Sequence, residues 1–551
     1  MEFSNWLDFD DNPILWWILG HLFLGIFSVW LIVSRRAVTD WIFWGVVIFI
    51  TGFMRLPVFL FNLPLNPDES QMLAQGLTLT FDPLIYRSVD PTTSGPINNY
   101  LLAFLGLLGF KLDFQLAHVL SWGLTLITLF FFYKTLKTFQ QRIVAQLAII
   151  PTVAFIGFIQ EPNYIHYYSE SIAMILLALN VYFIAVWTQR KAIQWPELVI
   201  FGLSTALVIL CKIQALPLAF VLGVWSLYLL FTFHRTHFFV KASILVSTIV
   251  GAWAGWLLYM GYNGVLDDFF FYYIKANAQL KMHFSDDSSR SYTYLLVRFP
   301  IIFYKLGEGI KYLFLPFGIL GLVFLFQNRL KSAFLNIVKS QSYFWVMLLG
   351  YLLMVIATLI RTGSFYPHHF IYFFLPFCLY IGLFLSHLPL RWRWAILSTQ
   401  LIFVAIFLKQ IITHATTNLY PTAISKQEEF SDVSRVILKY GKPGEYLVVW
   451  GWKCAYYVET QMPQGVNENH SVRSAMKHPL QQDYYERYVS DLKRNQPTVF
   501  VDAMTEKTLW MYDPAKYGHQ SYPELAAHIA ENYDLKEVIE GVKIYARKNK
   551  N

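Results

Sequence analysis

The chain has 551 residues, of which 56% are hydrophobic and only 14% charged, against roughly a quarter charged in an ordinary soluble domain. That excludes a simple soluble enzyme. Aromatic residues reach 18%, with 48 Phe, 34 Tyr and 18 Trp, and Tyr and Trp are the residues that settle at membrane interfaces. The formal charge of +8 is not gathered in any arm or single helix, which argues against a nucleic-acid partner. Residues 1–412 hold 26 basic and 18 acidic residues and the remaining 139 hold 17 of each, so the whole excess lies in the apolar part. Cys211, Cys378 and Cys454 are too few for a disulfide framework. The composition is that of a multi-pass membrane protein.

The acidic N-terminus, MEFSNWLDFDDNP, lacks the basic region of a cleaved signal peptide, so the first apolar run is expected to stay as a span. Twelve runs approach the length that crosses a bilayer: 13–33, 41–61, 114–134, 143–160, 171–188, 196–211, 214–232, 242–262, 309–327, 343–360, 368–386 and 394–412. Alternate connections are short and basic: Arg35 and Arg36; Lys134, Lys137 and Arg142; Arg190 and Lys191; Arg235 and Lys241; Arg329, Lys331 and Lys339; Arg391 and Arg393. Against these fourteen cations stand only Asp40 and Glu197. Short loops rich in Lys and Arg stay in the cytoplasm. The N-terminus, loop 62–113, loop 263–308 and tail 413–551 are then expected outside a plasma (inner) membrane.

Loop 62–113 is too long for a plain connector, and such loops usually carry function. It opens with Asn66, Pro67, Asp68 and Glu69, just beyond a run that contains Arg55. Pro followed by two acids fits a helix N-terminus. The same acids suit a base that takes a proton from an attacking hydroxyl or amine, with Asp82 and Asp90 further along. Cations that could hold a phosphate are Arg55, Lys212 between two short apolar runs, and Arg361 in RTGSFYPHH. Lys212 also fits a side chain snorkelling to the interface, and Arg361 a plain loop charge. His166 and Glu170 share a face if NYIHYYSE is helical, which suits a local hydrogen bond. His368 and His369 are adjacent and point apart in a regular helix, a poor start for a two-histidine metal site. Loop 263–308 mixes Asp267, Asp268, Lys275, Asp286, Asp287 and Arg290 with aromatics, the composition of an interfacial segment or of a mobile lid. No Walker A, dinucleotide glycine, GxSxG or HExxH pattern occurs.

From residue 413 the pattern changes. EYLVVW and TVFVD are predicted as buried strands, YPELAAHIAENY as a short amphipathic helix and DLKEVIEGVKIYAR as a hairpin around Glu540 and Gly541. Two units follow: a transmembrane module over 1–412 and an extracytoplasmic α/β domain over 413–551.

Several stretches together resemble the GT-C superfamily of integral membrane glycosyltransferases, especially the bacterial relatives of protein O-mannosyltransferases and of the lipid A aminoarabinose transferase. They are Asp68 and Glu69 beside a span, YRSVDPTTSGPINNYLLAFLGLLG, LVILCKIQALPLAF around Lys212, FYPHHFIYFFLP, and the tail stretches YLVVWGW and YPELAAHIAENYDLKEVIEGVKIYAR. Two departures stand out: SGP at Ser94 to Pro96, where many relatives have two prolines after a basic residue, and an extra N-terminal span. The resemblance implies a polytopic GT-C-like fold and a sugar donor carried on a polyprenyl phosphate. It also implies an acceptor that is a lipid, a glycan or a protein. Asp68 would be the catalytic base, supported by Glu69 and by Asp90, which stands where relatives often carry an acid that helps hold a metal. Lys212, Arg361 and Arg55 would hold the donor phosphate. Some relatives use a divalent metal ion and others do not. The rival readings are a transporter or lipid flippase, for which no inverted repeat is visible, and a non-catalytic glycan-assembly subunit.

Overall fold

The computed structural model describes residues 9, 14–280, 291–306, 309–325, 342–362, 365–387, 390–413 and 430–548. The basic connection with Arg329, Lys331 and Lys339, most of the acidic N-terminus, and the part of loop 263–308 that carries Asp286, Asp287 and Arg290 lie outside the described residues.

Among the described residues eight helices are long and apolar enough to cross a membrane: Ile14–Ser34, Phe114–Phe139, Glu170–Arg190, Ile213–Phe233, Arg235–Tyr262, Tyr343–Arg361, Pro367–Ser386 and Arg393–Ile412. At 1.5 Å per residue a helix of some 20 residues matches a hydrocarbon layer of about 30 Å. The other four runs expected to cross are shorter apolar helices: Asp40–Met54, Arg142–Phe158, Trp195–Cys211 and Ile310–Gly321. Two are cut short for a visible reason. The 41–61 run breaks at Arg55, whose backbone leaves the helical region ahead of Pro57. The 196–232 stretch breaks at Lys212, which is fully extended between the helices on either side. Burial separates the centre of the bundle from its rim. Pro367–Ser386 is 89% buried and Arg235–Tyr262 only 6%, so the first is the axis of the packing and the second a surface helix.

Loop 62–113 folds into two packed helices, Pro67–Phe81 and Pro96–Leu107. Pro67 starts the first as expected, and the Asn66 side chain caps it by accepting the Asp68 N–H at 2.9 Å.

Residues 430–548 carry a four-stranded sheet in the order β1-β2-β4-β3, with β1 Leu447–Trp450, β2 Val499–Asp502, β3 Tyr533–Ile539 and β4 Val542–Arg547. β1 and β2 are parallel and wholly buried, which is why both read as unbroken apolar runs. The antiparallel β3–β4 hairpin turns at Glu540 and Gly541, both with positive φ, the geometry of a two-residue turn that matches strand twist. Helix Pro523–Asn532 lies where the amphipathic pattern puts it.

The sheet-bearing tail is bonded to the loop helices. Gln464 N donates to Thr78 Oγ1 at 3.0 Å, Asn469 Nδ2 to the Gln71 carbonyl at 2.9 Å and Asp90 N to the Asn467 carbonyl at 2.7 Å. Arg473 pairs with Asp90 at 2.9 Å. The tail thereby closes over the end of the Pro67–Phe81 helix.

Candidate active site

A cavity of about 330 Å³ opens where the loop helices, the bundle and the tail meet. Asp68 lines it from the first turn of its helix. Among the described residues its carboxylate accepts no hydrogen bond and makes no ion pair. Burial raises the Asp68 pKa above the ordinary 3.8. Positive charge on His166 and Lys212 works against that rise, and the charge of Glu170 adds to it.

Glu69, the next residue, faces the other way. Its Oε1 accepts the Tyr167 N–H at 2.8 Å and its Oε2 meets His118 Nε2 at 3.1 Å, so it ties the loop helix to the Phe114–Phe139 helix. One residue along a helix is a 100° rotation, and that rotation gives the two acids of the pair different surroundings.

Lys212 enters the cavity from the break between two helices. It is 3% exposed and does not snorkel: its Nζ lies 2.9 Å from Glu170 Oε1 and 2.5 Å from Ser169 Oγ. An ammonium has three protons, and the hydrogen bond to Ser169 uses one, so the ion-paired ammonium can still donate to a ligand. The break is held by Gly95, at φ +70°, where a Cβ would come within 2.6 Å of the Cys211 carbonyl oxygen. Asn98 donates to that carbonyl at 2.7 Å. The stretch Ser94 to Pro96 is therefore the point where the loop clasps the end of the helix that presents Lys212.

Two sequence expectations need correction. His166 and Glu170 do not share a helical face, because Glu170 is the first residue of its helix and His166 bonds the Pro162 carbonyl at 2.8 Å. His368 and His369 do not diverge: in a 3-10 turn, Pro367–Phe373, their rings lie 4.5 Å apart and both line the cavity. His368, His369 and Glu170 place donor atoms within 4.8 Å of one another. Two imidazoles and a carboxylate suit a divalent transition cation. Lys212 shares the same Glu170 oxygen, so ammonium and metal would compete there.

The remaining expected residues are elsewhere. Asp90 is 1% exposed and its carboxylate is engaged by Arg473 and by the Thr92 N–H at 2.8 Å, which leaves it a bridge to the tail and a poor metal ligand. Arg55 donates to the Ile156 and Ile159 carbonyls at 2.6 and 3.2 Å, closing the end of the Arg142–Phe158 helix. Arg361 is exposed in the last turn of Ser342–Thr362 and is not among the residues that line the cavity. The cavity also has walls that the sequence did not reveal: Trp452, His470, Arg473 and Trp510 from the tail, and Asn277 from the segment after Arg235–Tyr262.

A second, apolar cavity of about 520 Å³ lies between Phe314, Phe317, Trp345, Leu349, Leu352 and Phe377. Phe373, in the same turn as the two histidines, forms part of its wall.

No protein-family model matches the chain, and no curated protein matches it. Among solved structures it is similar to the Archaeoglobus fulgidus oligosaccharyltransferase in complex with zinc and sulfate, at 14% identity and a TM-score of 0.42, over 91% of this chain and 73% of that one.

Proposed function

We propose that the chain is a membrane glycosyltransferase that moves a sugar from a polyprenyl-phosphate donor to an acceptor at the extracytoplasmic face of the plasma membrane. The observation that carries the reading is the pairing, in one cavity, of an unengaged carboxylate at Asp68 with a buried ammonium at Lys212. Three further features support it: the family resemblance of the sequence, the basic connections on the opposite parity, and the apolar cavity beside the histidine turn. That cavity has the lining and position to take isoprenoid units.

In the reaction Asp68 accepts the proton of the acceptor hydroxyl as its oxygen attacks the anomeric carbon. The bond from that carbon to the phosphate oxygen breaks, and its electron pair leaves with the polyprenyl phosphate. Attack opposite the leaving group inverts the configuration. The Lys212 ammonium binds the phosphate as charge develops on it. Glu170 and Ser169 fix the ammonium in place beforehand, and Glu69 fixes the helix that carries the base. A divalent cation held by His368, His369 and Glu170 would compete with Lys212 for the Glu170 oxygen and would supply positive charge for the leaving group in its place.

Purified protein in detergent, given a radiolabelled polyprenyl-phosphate sugar and a membrane extract as acceptor, should release polyprenyl phosphate and move label into the acceptor. Detergent abolishes compartments, so a flippase has no signal in this assay. Unchanged donor would contradict the reading.

A further inference from the structure

The tail contributes more than a lid to the cavity. Trp450 ends β1 wholly buried, its indole donating to the Tyr517 carbonyl at 2.7 Å. Gly451, at φ +126° and packed against the Ala503 backbone, lets the chain turn out of the sheet. Trp452 then reaches the cavity at the carboxyl end of the parallel strands, the end where open α/β sheets hold ligands. Its ring stacks on His470 at 4.9 Å and 27° and meets Trp510 edge to face at 5.0 Å, which fixes its plane. Its Nε1 is buried and has no hydrogen-bond partner among the described residues. Asn277 is 8% exposed and lines the same cavity. Its amide nitrogen serves the Thr92 and Tyr273 carbonyls, which leaves Oδ1 buried and without a partner.

A flat indole held rigid, one unmet donor and one unmet acceptor are the complement of a neutral sugar ring. One face of a pyranose presents C–H groups, whose burial on an aromatic face is favourable, while its hydroxyls both donate and accept. A buried donor or acceptor left unpaired is costly, so a ligand that satisfies both gains from each. A peptide hydroxyl offers no apolar ring face to lie on the indole.

We propose that Trp452 and Asn277 form a saccharide subsite, so that the acceptor of the transfer is itself a glycan whose terminal ring stacks on Trp452. This rests on the transferase reading for the word acceptor, though not for the binding itself. The donor is the other possible source of a ring, and the experiment separates the two. Full-length protein in nanodiscs, without donor, is applied to an array of neutral, acidic and amino-sugar oligosaccharides. Binding to a restricted set of neutral glycans is expected, at least about tenfold weaker in Trp452→Ala, with partial recovery in Trp452→Phe and a loss in Asn277→Ala. A short-chain polyprenyl-phosphate hexose should leave that binding intact. Competition between the two would place the donor sugar on Trp452 and overturn the assignment, as would equal binding by wild type and Trp452→Ala or no binding to any glycan. Failure of the transferase reading is scored apart, by absent sugar transfer in the donor assay, and leaves the array result standing.

Discussion

Removing one partner of the Lys212–Glu170 pair while leaving the other gives the most quantitative test of the site's construction. The two side chains are 4% and 0% exposed and 2.9 Å apart, with Ser169 as the ammonium's second partner. Lys212→Met leaves a carboxylate buried next to two imidazoles, and Glu170→Gln leaves an ammonium with only a hydroxyl and an amide. Each should lower stability by roughly 3–5 kcal/mol, the usual cost of an uncompensated buried charge. The double variant removes both charges and should recover most of that loss, giving a coupling of at least about 2 kcal/mol in the cycle. It should remain inactive, because the phosphate-binding proton is gone. Thermal unfolding of the detergent-solubilised variants reads the first result and donor turnover the second. Additive losses, with no recovery in the double variant, would refute the idea that Lys212 and Glu170 are held as a buried pair.

Four other outcomes follow from the same geometry. Burial raises the Asp68 pKa, so the base protonates, and turnover falls, at a pH above the ordinary aspartate value of 3.8; a pH–rate profile checks this. The same shift means that the contribution of Asp68 to stability is fully present below its unfolded value and is lost as pH rises through the folded value. Asp68→Asn should therefore unfold at a higher temperature than wild type at pH 7 while losing turnover. Gly95→Ala puts a Cβ against the Cys211 carbonyl at a positive φ. It should lower both stability and turnover, by about 1 kcal/mol or more in stability, read by melting temperature and kcat. Arg473→Ala strips Asp90 of its ion-pair partner and should loosen the tail, seen as faster hydrogen exchange in segments 84–95 and 464–473; unchanged exchange there would show that the pair does not hold the interface.

The sequence was informative wherever neighbours in the chain are neighbours in space. The β3–β4 hairpin, the two buried strands and the Pro67 helix start are local events, written in turn residues, apolar runs and a cap. The long apolar runs mark eight helices among the described residues in the same way. The site is different in kind. Asp68 and Lys212 were visible because ionisable residues beside apolar runs are rare. The partners that decide their roles come from far along the chain: Glu170 for Lys212, His118 for Glu69, and Arg473 for Asp90 across 383 positions. The spacing of His166 and Glu170 would put them on one face only in a helix, and the chain is irregular at His166, so their spacing did not reveal the role of Glu170. Arg55 attracted notice as a cation near the loop, yet its guanidinium closes a helix end, a use that only three-dimensional packing reveals. Trp452 stands two residues beyond a buried tryptophan in an apolar run, and Gly451 at positive φ is the one local sign that the chain leaves the sheet there.

The most direct measurement is single-turnover sugar transfer from a labelled polyprenyl-phosphate donor by purified wild type and Asp68→Asn side by side. The account predicts transfer by wild type and a rate lower by about 10²–10⁴ in the variant, the range general-base catalysis supplies. Equal rates in two equally folded proteins would contradict it.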